Sequence, residues 1–300
     1  MTQTPPAPDL LCIGSVLWDI IGRSRLVMRQ GSDFPGRITR LPGGVAMNIA
    51  MALVRFHLRP AALTAIGRDA EGDELVAACA RLGVETAYAY RSEDLPTDRY
   101  MAVEGANGLI AAVADAHSLE AAGARILRPL EDGRLGSLER PYAGTIALDG
   151  NLTPALLAEI AECPLFAASD LRVAPASPGK AERLLPFLRA GRGMLYVNLE
   201  EAGLLCQTVF ESAGAAAEAL LSVGAARVMV TAGGEEAALG DGAGVLTAAP
   251  SKVLVTRVTG AGDTFMAAHI AAERAGADRA EALQKALAAA ARYVSGEAPA

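Results

Sequence analysis

The stretch that decides the fold of this 300-residue chain is Val258-Thr259-Gly260-Ala261-Gly262-Asp263-Thr264. The preceding residues 253–256 have strand character and residues 264–272 have the pattern of a helix, so the glycines lie where a helix begins. Free N–H groups and the positive end of the helix dipole make such a position favourable for an anion. Asp263, in the first turn, could take a proton from a hydroxyl group beside that anion. Asp is also common at helix starts, so a structural cap is the alternative interpretation.

A second glycine turn lies far upstream, within Leu41-Pro42-Gly43-Gly44-Val45-Ala46-Met47-Asn48, and it also opens an Ala-rich helical stretch. Residues 10–14 form a short apolar run that ends in glycine, which is the pattern of a buried parallel strand. Asp19 follows just past the carboxyl end of this strand, where ligands bind in open α/β sheets. It is a candidate substrate contact, and a solvated loop aspartate is the alternative.

A repeated strand-loop-helix pattern runs along most of the chain. Strands are predicted at residues 61–67, 145–148, 171–174, 194–197 and 227–231. Helices are predicted at residues 74–82, 212–221 and 281–293. This order predicts a doubly wound, mostly parallel α/β sheet flanked by helices.

Residues 85–114 have a different character, because alternating residues flank a Gly-Ala-Asn-Gly turn at residues 105–108. The pattern predicts antiparallel strands, and residues 34–41 could supply another. We therefore expect one domain over residues 1–300 that carries a small β-sheet lid, with the lid strands within residues 16–41 and 85–114.

The composition excludes several classes of function. Hydrophobic residues make up 52% of the chain, enough for a sizeable core, and the formal charge of -7 without any Lys/Arg run argues against a nucleic-acid partner. The four cysteines and three histidines show no metal-ligand spacing, which predicts free thiols and structural histidines. No apolar run is long enough to span a membrane, and residues 1–8 lack the basic start of a signal peptide. These features predict a cytoplasmic protein with a frayed N-terminal tail.

The motifs, in their order, resemble those of the ribokinase-like (PfkB-type) sugar and nucleoside kinases over almost the whole chain. Gly14 with Asp19 resembles the family's first strand and substrate aspartate, and the two glycines before Asn48 resemble its N-terminal signature. The G-x-D-x-x-G turn of residues 67–72 comes next, as it does in the family. Residues 198–201, 231–233 and 260–263 are similar to an N-x-x-E motif, a nucleotide loop and the C-terminal signature. The implied fold is a ribokinase-like sheet with a β lid.

The resemblance implies ATP-dependent transfer of a phosphoryl group to a hydroxyl group. Asp263 would act as the base. The backbone N–H groups of Gly260, Ala261 and Gly262 would stabilise the charge on the transferred phosphoryl group.

The resemblance also assigns the substrate site. Asp19, Asn48 and the backbone of Gly43 and Gly44 would bind sugar hydroxyls, while the lid excludes water and meets the lid of a second subunit in a homodimer. Candidates for reading a base are polar residues in or near the lid: Thr97, Tyr100 and Asp115.

The remaining implied residues concern the cofactors. Thr231, Gly233 and Asn198 would contact ATP, and Glu201 would meet Mg²⁺ through water. Without the resemblance, residues 198–201 would be interpreted as a solvated turn after a strand. Arg257 stands where some members have an acid that helps to hold a monovalent cation, so a requirement for such a cation stays open.

Within the family, the chain most resembles the pseudouridine kinases, through residues 35–38, 42–45, Asp149-Gly150-Asn151 and 258–263. Val45 replaces a frequent Lys and Val258 a frequent Thr, and both replacements favour the nucleoside branch. We therefore expect phosphorylation of the 5'-hydroxyl group of pseudouridine. The alternatives are a ribokinase- or fructokinase-type sugar kinase, another nucleoside kinase, and a non-catalytic nucleoside sensor.

Overall fold

A computed structural model describes residues 7–297, so most of the predicted N-terminal tail lies outside the described residues. The strands are β1 (Leu10–Ile13), β2 (Leu17–Arg23), β3 (Arg37–Gly43), β4 (Pro60–Leu63), β5 (Ala65–Gly67), β6 (Tyr90–Ser92), β7 (Arg99–Gly105), β8 (Gly108–Asp115), β9 (Thr145–Asp149), β10 (Asp170–Ala174), β11 (Met194–Asn198), β12 (Arg227–Thr231), β13 (Ala237–Asp241) and β14 (Gly244–Ala248). The α-helices are α1 (Val45–Arg55), α2 (Ala70–Arg81), α3 (Ser118–Ala122), α4 (Arg128–Glu131), α5 (Pro154–Glu162), α6 (Leu185–Ala190), α7 (Leu199–Cys206), α8 (Ala213–Ser222), α9 (Ala261–Arg274) and α10 (Arg279–Ser295). Short 3-10 helices occur at Gly123–Leu127, Pro164–Phe166 and Pro178–Leu184.

The large sheet has eight strands in the order β14-β13-β12-β11-β10-β9-β1-β4. The strands from β12 to β4 are parallel, and β13 and β14 add an antiparallel hairpin at one edge. Successive residues of β1 enter two different apolar clusters, Leu11 and Ile13 on one face of the sheet and Leu10 and Cys12 on the other. Helices α1, α2, α9 and α10 pack on the second face. The predicted mostly parallel sheet flanked by helices is confirmed.

The order of the strands places a crevice beside β1. The chain leaves β1 for β4 on one side and later returns to β9 on the other, so the carboxyl ends of β1 and β9 flank a topological switch point, where ligands bind in such sheets. Gly14 ends β1 with φ 148, and a Cβ there would lie 2.2 Å from the Cβ of Asp149. Only glycine therefore lets the two strand ends approach this closely.

The predicted smaller sheet is also present, with four strands in the order β3-β2-β7-β8. β7 and β8 form the expected hairpin, with Gly105 opposite Gly108. Asp19 lies inside β2, within the range expected for the lid strands. One expectation was wrong, because not all strands within residues 85–114 are antiparallel. Residues 90–92 pair in parallel with β5, because the chain leaves the large sheet after Thr64, whose carbonyl accepts the N–H of Tyr90 at 2.8 Å.

The strand predicted at residues 253–256 does not form, and the hairpin β13–β14, which the sequence pattern did not reveal, occupies the sheet edge instead. The N–H groups of Thr256 and Arg257 both donate to the carbonyl of Val294 near the end of α10, at 2.8 and 3.2 Å. Because a helix end accepts these hydrogen bonds, this Val-rich segment stays irregular. Over residues 7–297, every helix is too short or too polar to cross a membrane.

Candidate active site

The turn before α9 has the conformation that its glycine predicts. Gly260 is the N-cap of the helix, with φ 86, and a Cβ there would lie 2.5 Å from the hydroxyl oxygen of Tyr293. That hydroxyl donates to the carbonyl of Thr259 at 2.8 Å. Tyr293, on α10, thus packs against the turn and leaves no space for a side chain at residue 260.

The first turn of α9 provides N–H groups that have no acceptor in the helix. Ala261 already donates its N–H to the carbonyl of Val258, at 3.0 Å. Within residues 7–297, the N–H groups of Gly262 and Asp263 find no backbone acceptor. The Gly260 N–H likewise has no backbone acceptor in this range, so of the three predicted donors only that of Ala261 is occupied, and the groups open to an anion are those of Gly260, Gly262 and Asp263.

Asp263 projects from this turn, and the side chain of Asn48 lies close enough to affect its carboxyl group. Burial raises the pKa of Asp263 from 3.8 to about 7, the neighbouring Asn48 side chain opposes that rise, and the charge of Asp149 adds to it. A carboxylate with a pKa near 7 is a stronger base than an ordinary aspartate and still ionises at neutral pH. The site therefore contains a group able to accept a proton beside an open anion site.

A cavity of about 710 Å³ adjoins Asp263 on the face of the sheet that α9 and α10 cover. The structure brings into its wall the residues predicted to contact ATP and Mg²⁺: Asn198, Glu201, Thr231 and Gly233. Much of the remaining wall is apolar, including Val253, Val255, Leu287, Ala290, Ala291 and Val294. A cavity that combines an apolar wall with open N–H groups suits a molecule with a flat base and a phosphate chain.

Asn198 and Glu201 form a capping box at the start of α7. The Asn198 Oδ1 accepts the N–H of Glu201, and the Glu201 Oε2 accepts the N–H of Asn198, each at 2.9 Å. Glu201 is buried, so the turn is not the solvated one that the residues alone indicated, and burial raises the pKa of Glu201. The box leaves Oε1 for another partner.

The described residues contain no group of three or more His, Cys, Asp or Glu side chains that could hold a metal, and the four cysteines are free thiols. Magnesium binds proteins through one or two carboxylates together with substrate phosphates and water. The single remaining oxygen of Glu201 fits such an arrangement, in which a nucleotide brings most of the ligands.

The predicted substrate residues are in close contact with one another, and one of them is near Asp263. A Cβ on Gly43 would be 1.9 Å from the Oδ2 of Asp19, so the Asp19 carboxyl packs directly on the Gly43 backbone. Burial raises the pKa of Asp19 to about 6. Gly44, with φ 94, is the N-cap of α1, and its carbonyl accepts the N–H of Asn48 at 2.8 Å. Asn48 connects this group to Asp263, since its side chain reaches the base.

A polar cluster that sequence reasoning missed as a site lies in the crevice at the ends of β1 and β9. The Asp149 carboxylate is fully buried and accepts hydrogen bonds from the N–H groups of Ser15 and Asn151, both at 2.8 Å. The Asn151 side chain also donates to the Ser15 Oγ at 3.2 Å and accepts from Lys180. The Asp-Gly-Asn run directly after a predicted strand could have indicated this cluster. In the sequence analysis it supported only the family resemblance.

The three candidate base contacts are not equivalent. Thr97 is buried and donates both its N–H and its hydroxyl to Asp69, at 2.8 and 2.6 Å, so it is not available to a base. Tyr100 pairs with Asp19 across the lid and shares its face. Asp115 pairs with the neighbouring Arg99, which places it on the opposite face of the lid. Of the three, only Tyr100 lies on the Asp19 face with its side chain uncommitted.

The fold of this chain is similar to that of several solved structures. Solved structures with this fold include a carbohydrate kinase from Agrobacterium tumefaciens, which is 26% identical with a TM-score of 0.79 over 95% of this chain and 90% of that chain. Arabidopsis thaliana ribokinase complexed with ribose and ATP is 19% identical, with a TM-score of 0.73 over 96% and 93% of the two chains. Adenosine kinase from Sinorhizobium meliloti is 20% identical, with a TM-score of 0.73 over 96% and 94%. These similarities confirm the ribokinase-like fold.

Among curated proteins, no relative matches this chain. The family model of the pfkB family carbohydrate kinases matches residues 7–299. A match of this extent covers both sheets and every residue of the candidate site. The chain therefore belongs to the pfkB family of carbohydrate kinases.

Proposed function

We propose that this ATP-dependent sugar or nucleoside kinase acts on pseudouridine and phosphorylates its 5'-hydroxyl group. The observation that carries the kinase activity is Asp263, whose raised pKa and position next to the open N–H group of Gly262 combine a base with an anion site. The glycine motifs and residues 149–151 resemble those of pseudouridine kinases, and this resemblance supports the choice of pseudouridine. The face of the lid that carries Asp19 also supports it.

In the proposed reaction, the Asp263 carboxylate takes the proton of the acceptor hydroxyl while Asn48 holds the carboxylate in place. The N–H groups of Gly262 and Asp263 donate to the transferred phosphoryl oxygens, and one such donor typically contributes about 3 kcal/mol to stabilisation of the transition state. Bound ATP would supply the phosphoryl group, with ADP as the leaving group, and Mg²⁺ would neutralise part of the phosphate charge. Glu201, through its Oε1, is the residue that would hold the metal, and Thr231 and Gly233 line the cavity on the nucleotide side.

The face of the lid that carries Asp19 supports a nucleoside as the acceptor. Asp19 could accept from two neighbouring ribose hydroxyls, and its cross-strand partners Leu41 and Tyr100 continue the same face. Leu41 is 59% exposed, so its side chain is accessible to a bound molecule. An aromatic and an aliphatic residue beside a hydroxyl-binding carboxylate suit a molecule with both a base and a sugar.

ADP release should be measured in a coupled assay with pseudouridine, uridine, ribose and fructose. We expect turnover with pseudouridine. Tyr100→Ala should raise the KM for pseudouridine, whereas the matched control Asp115→Asn, on the opposite face, should not. Turnover with a free sugar but not with pseudouridine would overturn the nucleoside assignment. Binding of ATP in calorimetry without ADP release from any acceptor would favour the non-catalytic sensor.

The other face of the lid supports the proposed homodimer. Ile38, Met101 and Val113 share this face, and they are 80%, 50% and 60% exposed. A monomer rarely leaves such an apolar surface in water, and a second copy of the same lid would cover it. Sedimentation should show a dimer that Ile38→Lys with Val113→Lys converts to a monomer, and a monomeric parent chain would refute the assignment.

A further inference from the structure

A second cavity, of about 230 Å³, lies between the end of α1, the start of α9 and the outer part of α10. Its wall includes four basic side chains and a single acidic one: Arg55, Arg257, Lys285, Arg292 and Glu297. The site proposed above for ATP and acceptor uses none of these residues. The cavity is therefore a separate and strongly basic pocket.

The arginines of this pocket are not neutralised by the protein. Within residues 7–297, Arg55, Arg257 and Arg292 form no ion pair, and Lys285 pairs only with Glu281, one turn earlier on α10, at 2.7 Å. Like charges that share one cavity repel each other, and a multivalent anion would remove that repulsion. Guanidinium groups also match the geometry of phosphate oxygens, to which they donate in pairs.

The basic pocket is connected to the turn that precedes the catalytic helix. Arg257 donates its Nε–H to the carbonyl of Tyr293 at 2.7 Å, and its guanidinium lies 3.9 Å from the centre of the Tyr293 ring. The hydroxyl of the same tyrosine holds Thr259 and closes the space at Gly260. Thr264, the residue after the base, also lines the pocket. An anion that binds Arg257 therefore acts on residues that contact the anion site of α9.

We propose that this pocket binds a phosphate group, and that its occupancy changes the affinity of the catalytic turn for ATP. The ligand is inorganic phosphate or a small phosphate ester, because both present the same oxygen atoms to the arginines. The inference goes beyond the proposed kinase activity, since phosphate binding at this pocket needs no turnover.

Calorimetry with inorganic phosphate tests the site directly. We expect the double variant Arg55→Gln with Arg292→Gln to bind phosphate at least about tenfold more weakly than the parent chain. Arg189→Gln removes another exposed arginine from the last turn of a helix, outside the pocket, and should bind phosphate like the parent. If phosphate bound to the turn of α9 instead, the double variant would bind it with the same affinity as the parent chain. Equal affinities would therefore overturn the proposal.

Thermal unfolding at low ionic strength gives a second measurement, which also shows whether the variants fold. Phosphate should raise the Tm of the parent chain but not that of the double variant, whose Tm without phosphate should equal or exceed the parent value because fewer like charges share the pocket. A parent Tm that phosphate leaves unchanged would contradict the site.

Two further comparisons define the ligand and the effect. Glucose 6-phosphate and inorganic phosphate distinguish an ester from the free ion, and glucose is the uncharged control. In ADP-release assays, phosphate should shift the KM for ATP of the parent chain and not that of the double variant, and equal shifts in both would refute the link to the catalytic turn. If the chain turned over no acceptor, calorimetry and thermal unfolding would still test phosphate binding to the pocket. Failure of the pocket proposal and failure of the proposed function can therefore be told apart.

Discussion

Replacing Asp263 by Asn separates the chemical role of this residue from its cost to stability. The amide keeps the size of the side chain, but it cannot take a proton. We expect kcat to fall by about 10²- to 10⁴-fold, the usual contribution of a general base. Because the substituted side chain stays in place, the KM for ATP should change little.

The same variant should be more stable than the parent chain at high pH. The pKa of Asp263 is about 7 in the folded chain against 3.8 ordinarily, which at about 1.36 kcal/mol per pKa unit corresponds to about 4 kcal/mol. Since the folded-state pKa is the higher one, its contribution to stability is fully present below pH 3.8 and is lost as the pH rises to about 7. The Asn side chain does not ionise, so the variant does not lose this contribution to stability. The free energy of unfolding of the variant should exceed that of the parent by up to about 4 kcal/mol at pH 8, with little difference near pH 4.

Urea unfolding at the two pH values and steady-state ADP release provide the measurements. Asp33→Asn, at an exposed loop position, controls for the loss of one negative charge and should alter neither quantity. An Asp263→Asn variant with unchanged kcat would refute the role as base. Loss of activity without any gain in stability at pH 8 would show that burial does not raise the pKa of this carboxyl.

Three other substitutions test the surroundings of the base. Asp149→Asn removes a charge that raises the pKa of Asp263, so the acid limb of the kcat/KM profile should move to lower pH, and an unmoved limb would disprove the electrostatic coupling. Gly43→Ala places a Cβ 1.9 Å from the Oδ2 of Asp19. The acceptor KM should therefore rise at least about tenfold, about 1.4 kcal/mol, while the ATP KM is kept; an unchanged acceptor KM would contradict the predicted contact. Asp69→Ala removes the N-cap hydrogen bond from Gly72 in α2 and two hydrogen bonds from Thr97, in the segment before the lid. It should cost about 1–3 kcal/mol in urea unfolding, and a smaller loss would mean that water replaces these bonds.

Local sequence signals were sufficient for the parts of the molecule that depend on neighbouring residues. The glycine turn before α9, its first-turn aspartate and the alternating hairpin around residues 105–108 were all predicted, because φ preferences, helix-start chemistry and the period-2 pattern act over a few residues. The order of strands and helices likewise predicted the parallel sheet. Residues 253–256 show the limit of such signals. Their β propensity is real, but the N–H groups of Thr256 and the following Arg257 donate to a carbonyl on α10 that is far away in the sequence.

The amino-acid order thus defined the fold class and the identity of the proposed base, since periodicity and turn chemistry are properties of short stretches. Only the folded chain showed that Asn48 reaches Asp263, that Asp149 is close enough to raise its pKa, and that three arginines from α1, α10 and the loop before α9 enclose one pocket. These relations depend on where parallel strands end and on how helices pack over them. Electrostatic interaction falls off with distance in space and not along the chain, so the properties that make the site reactive arise from tertiary structure.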